Sequence, residues 1–508
     1  MGIICSSANA QDRFSLTSPD KNVDVTINVN ASNITYTVNH GETLVITDSE
    51  IALELEDKIL GHNPKLRNSK TNTVDEIIES PFYKKDKIRN HYNSIILNFK
   101  DNFSIEFRAY DEGVAYRFST NYKGEITIKN EIAEFNFDKD YKSYIPYVSP
   151  RKQDYGTDIE KQFLTSFEAP YTVDNLSNMY DERLSFLPIL VELDDNKKAV
   201  ITESDLEDYP GMFLMKSRDC NYSLEGVYAT APKTEIQGGH NMLQLLITER
   251  QEYIAKTDGK RTFPWRIITI SEEDYQLTDN DMVYKLASPS RVEDISWIKP
   301  GKVAWEWWNA WNISGVPFES GINNDTYKFY IDFASKNNIE YVILDEGWAV
   351  NKQADLFQVV EEIDLEALVE YATAKNVGIV LWAGYYAMER DMENVCRHYS
   401  EMGIKGFKVD FMDRDDQKVV NFYYDMAETA AKYKMFIDFH GAYKPTGMCR
   451  TYPNVLNFEG VWGLEQAKWI PNSYDLVTYE VTIPFIRQVA GYLDFTQGAM
   501  KNATRDNF

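Results

Sequence analysis

Hydrophobic and polar residues alternate along the first half of the chain. From about residue 12 to residue 285, short segments such as Val23–Val29 place an apolar residue at every second position, and turn residues separate them. Phe103–Tyr110 runs into the turn Asp111-Glu112-Gly113, after which Val114–Phe118 resumes the alternation. This pattern predicts strands with one buried face, joined by tight turns. We therefore predict a large antiparallel β-sandwich over residues 11–285.

The pattern changes after Lys299-Pro300-Gly301, where short apolar strands begin to alternate with amphipathic helices. The helix that Asp364 should cap places four apolar residues on one face, namely Leu365, Leu368, Val369 and Ala372. The predicted strands are Val303–Trp307, Tyr341–Asp345, Gly378–Trp382, Gly406–Asp410, Met435–Asp438, Val455–Glu459 and Gly491–Asp494.

Alternating strands and helices predict a (β/α)8 barrel of the TIM type, with its functional groups at the C-terminal ends of the strands. We assign it to residues 303–508 and treat residues 286–302 as the linker from the sandwich. Seven strands can be recognised before Phe508. We therefore expect the barrel to be C-terminally incomplete near its last strand.

The first ten residues end in Ala8-Asn9-Ala10, an A-x-A pattern that is typical of signal-peptide cleavage sites. We interpret residues 1–10 as a residual signal peptide and expect an exported, periplasmic protein. A transmembrane helix needs about 18 consecutive apolar residues, and the sequence contains no such run. No membrane span is expected.

Composition narrows the choice of partners. The chain has 79 acidic and 53 basic residues, and its formal charge of −26 would repel phosphate backbones, so nucleic acid is not expected to bind. Aromatic residues make up 14% of the chain, which suits either a sugar-binding groove or an aromatic core. The four cysteines show no paired spacing, so neither a zinc site nor a disulfide framework is predicted.

Polar residues gather where the predicted barrel strands end. These positions are rich in carboxylates, and several tryptophans lie among them. The C-terminal ends of parallel strands meet on one face of a barrel, so these side chains should surround a common bowl. The carboxylates and the histidine of this set are Glu306, Asp345, Glu346, Asp410, Asp413, Asp415, Asp416, Asp438, His440, Glu459 and Glu465.

Asp410 ends the fourth predicted strand and follows Lys408 by two positions. Acetal cleavage needs one carboxyl group to protonate the leaving oxygen and another to attack the anomeric carbon or activate water. The nearby ammonium group would keep Asp410 ionised, as a nucleophile requires. In barrels, an aspartate at the end of a strand is about as often the N-cap of the next helix as a catalytic residue. The polar residues that surround Asp410 favour the catalytic role. Asp415 and Asp416 lie where the helix beginning near Gln417 favours negative charge, so we interpret them as structural.

No other catalytic motif competes with this set. The patterns G-x-S-x-G and H-E-x-x-H do not occur, and the six histidines are scattered. His440 alone lies at a strand end in the polar bowl, where a histidine more often donates hydrogen bonds or binds hydroxyl groups than catalyses. Gly238-Gly239-His240-Asn241 lies in the sandwich and is interpreted as a turn.

Together these residues resemble glycoside hydrolase family 97, a bacterial family. The resemblance covers nearly the whole chain and implies an N-terminal β-super-sandwich, a catalytic (β/α) barrel and a smaller C-terminal β-domain. D-E-G-W and K-x-D also resemble the α-galactosidases of families 27 and 36. The segments that carry the resemblance to family 97 are FRAYDEGVAYRF (107–118), TSFEAPY (165–171), SWIKPGKVAWEWWN (296–309), LDEGW (344–348), GFKVDFMDRDDQ (406–417), FHGAYKPTG (439–447) and NFEGVWGLE (457–465).

The resemblance also implies a stereochemical outcome. Inverting members of the family, typified by α-glucosidases, are expected to bring base glutamates from strands 3 and 5 and to lack the strand 4 aspartate. Here those positions carry Gly384 and Gly441, and Asp410 is present. The resemblance implies the retaining branch, typified by α-galactosidases, with Asp410 as nucleophile and Glu465 as acid/base. Their carboxyl groups should then lie about 5–5.5 Å apart, against roughly 6.5–9.5 Å in an inverting enzyme.

Members of the family bind calcium beside the sugar, and this implies a Ca²⁺ site here. Glu459 and Glu465 match ligands from the barrel, and Glu168 is our choice for the ligand that the sandwich contributes, although a surface loop residue is the plain alternative. Carboxylate oxygens are the ligands that a hard cation requires. The implied sugar-binding residues are Asp345, Trp382, Lys408 and His440, with Glu306 and Glu346 as further candidates.

The sequence therefore predicts a calcium-dependent, retaining exo-α-glycosidase, with α-galactosidase as the first choice. An α-glucosidase or a β-L-arabinopyranosidase of the same family is the nearest alternative, and a non-catalytic carbohydrate-binding protein is the alternative from another class. The expected partner is an oligosaccharide or glycan substrate, and the protein itself is expected to be a monomer or a homodimer.

Overall fold

The computed structural model describes residues 12–148, 158–218 and 220–497. The predicted residual signal peptide, residues 1–10, lies outside these ranges. In the described part of the chain, every helix is too short or too polar to cross a membrane.

The N-terminal half of the protein consists almost entirely of antiparallel strands. Of the strands in the described ranges, seventeen belong to one hydrogen-bonded sheet system and two form a separate hairpin. The strands are β1 (Asp12–Thr17), β2 (Val23–Val29), β3 (Ile34–His40), β4 (Thr43–Leu55), β5 (Ile59–Leu60), β6 (Leu66–Glu79), β7 (Lys87–Phe99), β8 (Phe103–Tyr110), β9 (Gly113–Asn136), β10 (Lys142–Ile145), β11 (Thr172–Asn175), β12 (Ile189–Glu192), β13 (Lys198–Ser204), β14 (Met212–Lys216), β15 (Ser223–Tyr228), β16 (Pro232–Gly238), β17 (Gln244–Arg250), β18 (Ala255–Thr262) and β19 (Trp265–Ser271). Three short helices accompany them, α1 (Ile159–Gln162), α2 (Asp274–Asp279) and α3 (Met282–Leu286).

Alternation along these strands produces the core of the sandwich. In β2 the apolar residues at odd positions, from Val23 to Val29, are buried, whereas the residues between them are not. The hairpin predicted from the sequence is confirmed, because β8 pairs with β9 in register from Phe103 opposite Thr120 to Tyr110 opposite Gly113. Removing these apolar faces from water is the main force that stabilises the sandwich.

In the C-terminal half, as far as residue 497, the structure shows one parallel sheet whose six strands are neighbours in chain order. Asp364 caps α5 as predicted, by accepting a hydrogen bond from the N–H of Ala367 at 3.0 Å, and the apolar face of α5 is buried. The strands are β20 (Val303–Trp305), β21 (Tyr341–Leu344), β22 (Gly378–Gly384), β23 (Gly406–Asp410), β24 (Phe436–Phe439) and β25 (Val455–Phe458). The helices are α4 (Asn324–Lys336), α5 (Leu365–Thr373), α6 (Tyr385–Met402), α7 (Gln417–Lys432), α8 (Met448–Thr451) and α9 (Leu476–Thr482).

The strand predicted at Gly491–Asp494 is wrong, because the chain is irregular there. The segment keeps a backbone hydrogen bond to β25, from the N–H of Asp494 to the carbonyl oxygen of Phe458 at 2.8 Å, but the carbonyl groups around it are bound by the buried guanidinium of Arg487. This guanidinium donates hydrogen bonds to the carbonyl oxygens of Glu459 at 2.8 Å, Gly460 at 2.9 Å and Tyr492 at 2.9 Å. Carbonyl groups bound in this way are engaged by a side chain instead of by a neighbouring strand. Within the described residues the sheet is thus a curled half-barrel, and the closed (β/α)8 barrel remains a prediction.

Candidate active site

Asp410 lies near the middle of the C-terminal edge of the half-barrel, as the last residue of β23. Its Oδ2 accepts a hydrogen bond from the indole N–H of Trp382 at 3.0 Å, and its Oδ1 accepts one from the N–H of Phe411 at 2.7 Å. Lys408 Nζ lies 4.0 Å from Oδ2. Burial raises the pKa of Asp410, whereas Lys408 and His440 oppose the rise. Two donors and a nearby cation favour the carboxylate form that a nucleophile needs.

Asp345 follows β21 and is tied directly to Lys408. Its Oδ2 accepts hydrogen bonds from Lys408 Nζ at 2.9 Å and from the indole N–H of Trp305 at 2.6 Å. Glu306, a sequence candidate for sugar binding, is fully buried. It accepts hydrogen bonds from the N–H of Asp345 at 2.8 Å and from the hydroxyl of Tyr327 at 2.9 Å. Glu306 therefore supports Asp345 from behind and does not face the bowl.

Three carboxylates from the two halves of the protein meet beside this edge. One oxygen from each of Glu168, Glu459 and Glu465 lies within 4.8 Å of the other two. Burial and the charge of Glu459 raise the pKa of Glu465 to about 8, and the same two causes raise the pKa of Glu168. Close carboxylates repel one another when they are ionised. Oxygen ligands grouped in this way suit a hard divalent cation.

His440 connects this carboxylate group to the end of β24. Its Nδ1 lies 3.3 Å from Glu459 Oε1, and its Nε2 lies 2.8 Å from Asp494 Oδ2 and 3.5 Å from Asp438 Oδ2. Burial alone would lower the pKa of His440, but the three carboxylates outweigh it and raise the pKa. Both ring nitrogens of His440 thus face carboxylates, and the imidazole orients Glu459. His440 follows β24 directly, in the bowl where the sequence predicted that it binds the sugar.

Two glycines limit what can stand beside Asp410. Gly441 has φ 51°, and a Cβ built on it would lie 2.7 Å from the backbone nitrogen of Phe411 and 2.9 Å from Asp410 Oδ1. A Cβ built on Gly384 would lie 2.8 Å from the Cβ of Leu243. Real side chains do not tolerate such contacts without displacement of their neighbours. With Asp410 in this position, there is no room for a side chain at position 441.

The sandwich reaches the site through residues that sequence reasoning did not assign to it. Gln244 Nε2 donates a hydrogen bond to Asp413 Oδ2 at 2.6 Å, three residues after Asp410. His240 and Asn241 contact the carboxylate of Glu346. The glycines at 238 and 239 do mark a turn, but nothing in a turn signal identifies a partner on another domain.

The site loop, residues 440–447, is also anchored in the core of the sandwich. Lys444 in this loop forms an ion pair with Glu203, which in turn pairs with Arg266. Arg266 donates hydrogen bonds to both carboxylate oxygens of Glu131, at 2.8 and 2.7 Å. All four side chains are at least 97% buried. Their charges balance, and the network fixes the loop relative to the sandwich.

Lys444→Met should lower the free energy of unfolding by about 3–5 kcal/mol, because Glu203 and Glu131 would then share the single buried cation Arg266, which leaves one uncompensated buried negative charge. Urea unfolding followed by circular dichroism measures this. The control is Lys418→Met, which removes a partly exposed pair with Glu235 at 2.6 Å. Its cost should be about 1 kcal/mol or less. Equal losses in the two variants would show that the network does not hold the loop.

Comparison with known proteins identifies the family. Residues 16–289 match the family model described as Glycosyl-hydrolase 97 N-terminal, and residues 307–461 match the model described as Glycoside hydrolase 97. The chain belongs to glycoside hydrolase family 97. The two matches cover most of the sandwich and the half-barrel, so the resemblance drawn from the motifs is confirmed and the protein is a glycoside hydrolase.

Individual members of family 97 agree with this assignment. A protein of Bacteroides thetaiotaomicron named retaining α-galactosidase is 53% identical over 508 residues, which is 100% of this chain and 76% of that protein. A family 97 enzyme from Pseudoalteromonas sp. strain K8, solved with panose, has a TM-score of 0.81 and 22% identity, covering 96% of this chain and 75% of that one. A β-arabinopyranosidase has a TM-score of 0.80 and 20% identity, covering 97% and 77%. The two structures show that the fold is shared.

Proposed function

We propose that this family 97 enzyme is an exo-acting, retaining α-galactosidase that releases terminal α-galactosyl residues from oligosaccharides. The proposal depends mainly on Asp410 at the end of β23. Its Oδ2 lies 4.0 Å from Lys408 Nζ, and the glycine at position 441 has no side chain that could act as a catalytic base. The choice of galactose is supported by the 53% identity to the protein named retaining α-galactosidase.

Hydrolysis proceeds by double displacement in this proposal. Asp410 attacks the anomeric carbon while protonated Glu465 gives its proton to the leaving oxygen. The ionised Glu465 then takes a proton from water, whose oxygen attacks the anomeric carbon and releases Asp410. Two displacements at one carbon restore its original configuration.

We propose further that Glu168, Glu459 and Glu465 hold a calcium ion. Their carboxylate oxygens lie within 4.8 Å of one another, and the side-chain amide of Gln466 donates a hydrogen bond to Glu168 Oε1 at 3.2 Å. A bound cation would offset the mutual repulsion of these carboxylates and fix the position of Glu465. Because Glu168 belongs to the sandwich, that domain would then contribute directly to the catalytic centre.

Chelation should therefore abolish most of the activity, and added Ca²⁺ should restore it. Glu168→Gln should weaken Ca²⁺ binding by more than about 10- to 100-fold, because that is the usual loss for a group that only supports a ligand, and Glu168 is proposed to contact the ion itself. Titration calorimetry on the chelator-treated protein measures the affinity. The control is Glu160→Gln, because the side chain of Glu160 is 59% exposed and pairs with Arg250. Unchanged Ca²⁺ affinity in Glu168→Gln would remove Glu168 from the metal site.

A panel of 4-nitrophenyl glycosides tests the proposed sugar. We expect the highest kcat/KM with the α-galactoside, and lower values with the α-glucoside and the β-L-arabinopyranoside. A preference for either of these would overturn the choice of galactose. Glycan binding without turnover of any member of the panel, by a protein with a sharp melting transition, would instead favour a carbohydrate-binding role.

A further inference from the structure

A loop of the sandwich domain lies against the catalytic edge of the half-barrel. We call residues 239–242, which join β16 to β17, the hairpin tip. The hairpin is anchored at both ends. The N–H of Tyr386 donates a hydrogen bond to the carbonyl oxygen of Leu243 at 2.9 Å, and Arg414 Nη1 donates one to Glu235 Oε1 at 2.7 Å. These contacts hold the hairpin tip beside the ends of β22 and β23.

The backbone of the hairpin tip is strained. Asn241 and Met242 have φ values of 45° and 63°, in the left-handed region that few residues other than glycine adopt. Each such residue costs on the order of 1–3 kcal/mol, and strain of this kind is concentrated at binding and catalytic sites. Here the strained backbone directs His240 and Asn241 towards the half-barrel.

Both of these side chains bind the carboxylate of Glu346. His240 Nε2 lies 2.9 Å from Glu346 Oε2, and Asn241 Nδ2 donates a hydrogen bond to Glu346 Oε1 at 2.6 Å. The N–H of Glu346 donates to Asp345 Oδ1 at 2.7 Å. The ring of His240 packs on that of Phe411, with 4.6 Å between centroids. The hairpin tip therefore contacts the residues that directly follow Asp345 and the nucleophile.

These polar groups remain open to a ligand. The side chain of His240 is 48% exposed and that of Glu346 is 21% exposed. A carboxylate offers about four lone-pair positions, so Glu346 can accept further hydrogen bonds besides those from His240 and Asn241. A ligand rich in hydroxyl groups matches this combination of donors and acceptors.

The order of the strands determines which part of the sugar meets the hairpin tip. Glu465 follows β25 at one side of the half-barrel, Glu346 follows β21 towards the other side, and Asp410 lies on β23 between them. The leaving group is attached to the oxygen that Glu465 protonates, so it departs on the β25 side. The edge of the reacting sugar opposite its anomeric carbon then points towards β21 and the hairpin tip.

We propose that the hairpin tip is a specificity-determining part of the sugar site. His240 and Asn241, with Glu346 between them, bind hydroxyl groups on the edge of the terminal sugar that is remote from the anomeric carbon. The inference rests on the proposed catalytic pair, Asp410 and Glu465. Polar groups placed to meet a substrate hydroxyl reject sugars that lack it, because the groups are then left unpaired.

A comparison of variants and deoxy sugars tests this inference. Asn241→Gly removes the amide but tolerates the left-handed backbone, and His240→Ala removes the imidazole. Each should lower kcat/KM for 4-nitrophenyl α-galactoside about tenfold, mainly through KM, as expected for one lost hydrogen bond. For the 4-deoxy or the 6-deoxy analogue, whichever lacks the contacted hydroxyl, the same variants should change kcat/KM less than about twofold, because the contact is already missing.

The control is Thr248→Ala, since Thr248 is exposed on the same hairpin and its Oγ1 lies 2.6 Å from Thr234 Oγ1, away from the hairpin tip. It should leave every substrate unchanged. Equal losses on the parent sugar and on both deoxy analogues, or no loss at all, would overturn the inference. If the wild-type enzyme prefers another α-glycoside, the proposed galactose specificity fails, and the same comparison on deoxy forms of that sugar still decides the role of the hairpin tip.

Discussion

Asp410→Gly should lower kcat for 4-nitrophenyl α-galactoside on the order of 10⁴-fold or more, the scale of nucleophile removal in other hydrolases. The change removes the carboxylate that we propose as the nucleophile and leaves space beside Trp382. Sodium azide should restore turnover, because a small anion can attack the anomeric carbon from the vacated side. Initial rates with and without azide measure the effect, and NMR should identify the product as a β-galactosyl azide.

Asp416→Asn is the matched control for Asp410→Gly. Asp416 is also a buried aspartate close to β23, but it caps α7 and pairs with Arg414 at 2.7 Å. Its replacement should lower stability and leave kcat close to that of the wild type. Substantial activity of Asp410→Gly without added azide would show that another group is the nucleophile.

Gly441→Ala should lower kcat about 100-fold in a protein that still folds, since misplacing a catalytic group by about 1 Å has effects of this size. The new Cβ would lie 2.9 Å from both Asp410 Oδ1 and Asp413 Oδ1. The φ of 51° at Gly441 adds strain for any other residue. Asp410 must then move from its hydrogen bond with Trp382. Steady-state kinetics together with a melting curve separate this effect from unfolding.

Gly321→Ala is the control for the glycine substitution, because the nearest heavy atom to a Cβ built there is Asn323 Nδ2 at 3.8 Å. It should keep wild-type kcat. A Gly441→Ala enzyme with unchanged kcat would show that position 441 can accept a side chain beside Asp410.

Local patterns were sufficient to predict much of the fold. Alternation located the β8–β9 hairpin, and strand–helix alternation located β20 to β25, because burial of one face depends on residues close in sequence. The rule that polar groups gather at the ends of parallel strands placed Asp345 and Asp410 on a common edge. Selection of Glu465 as the partner of Asp410 required the family resemblance, since several neighbouring carboxylates have the same local signal.

Long-range contacts could not be predicted in this way. Lys444 pairs with a residue 241 positions away, and His240 contacts one 106 positions away. No period or turn signal encodes such pairs. The strand expected at Gly491–Asp494 failed for a related reason. The segment is apolar enough to form a strand. However, the guanidinium of Arg487 binds the carbonyl oxygen of Glu459, just after β25, and that of Tyr492 in the segment itself.

The stereochemistry of the first product distinguishes double displacement through Asp410 from a single displacement by water. Proton NMR during the first minutes of α-galactoside hydrolysis distinguishes the α- and β-anomers of galactose before they interconvert. Double displacement through Asp410 and Glu465 predicts that α-galactose appears first and that β-galactose follows by mutarotation. Initial release of β-galactose would contradict double displacement, because it requires a single displacement by water and removes the nucleophilic role of Asp410.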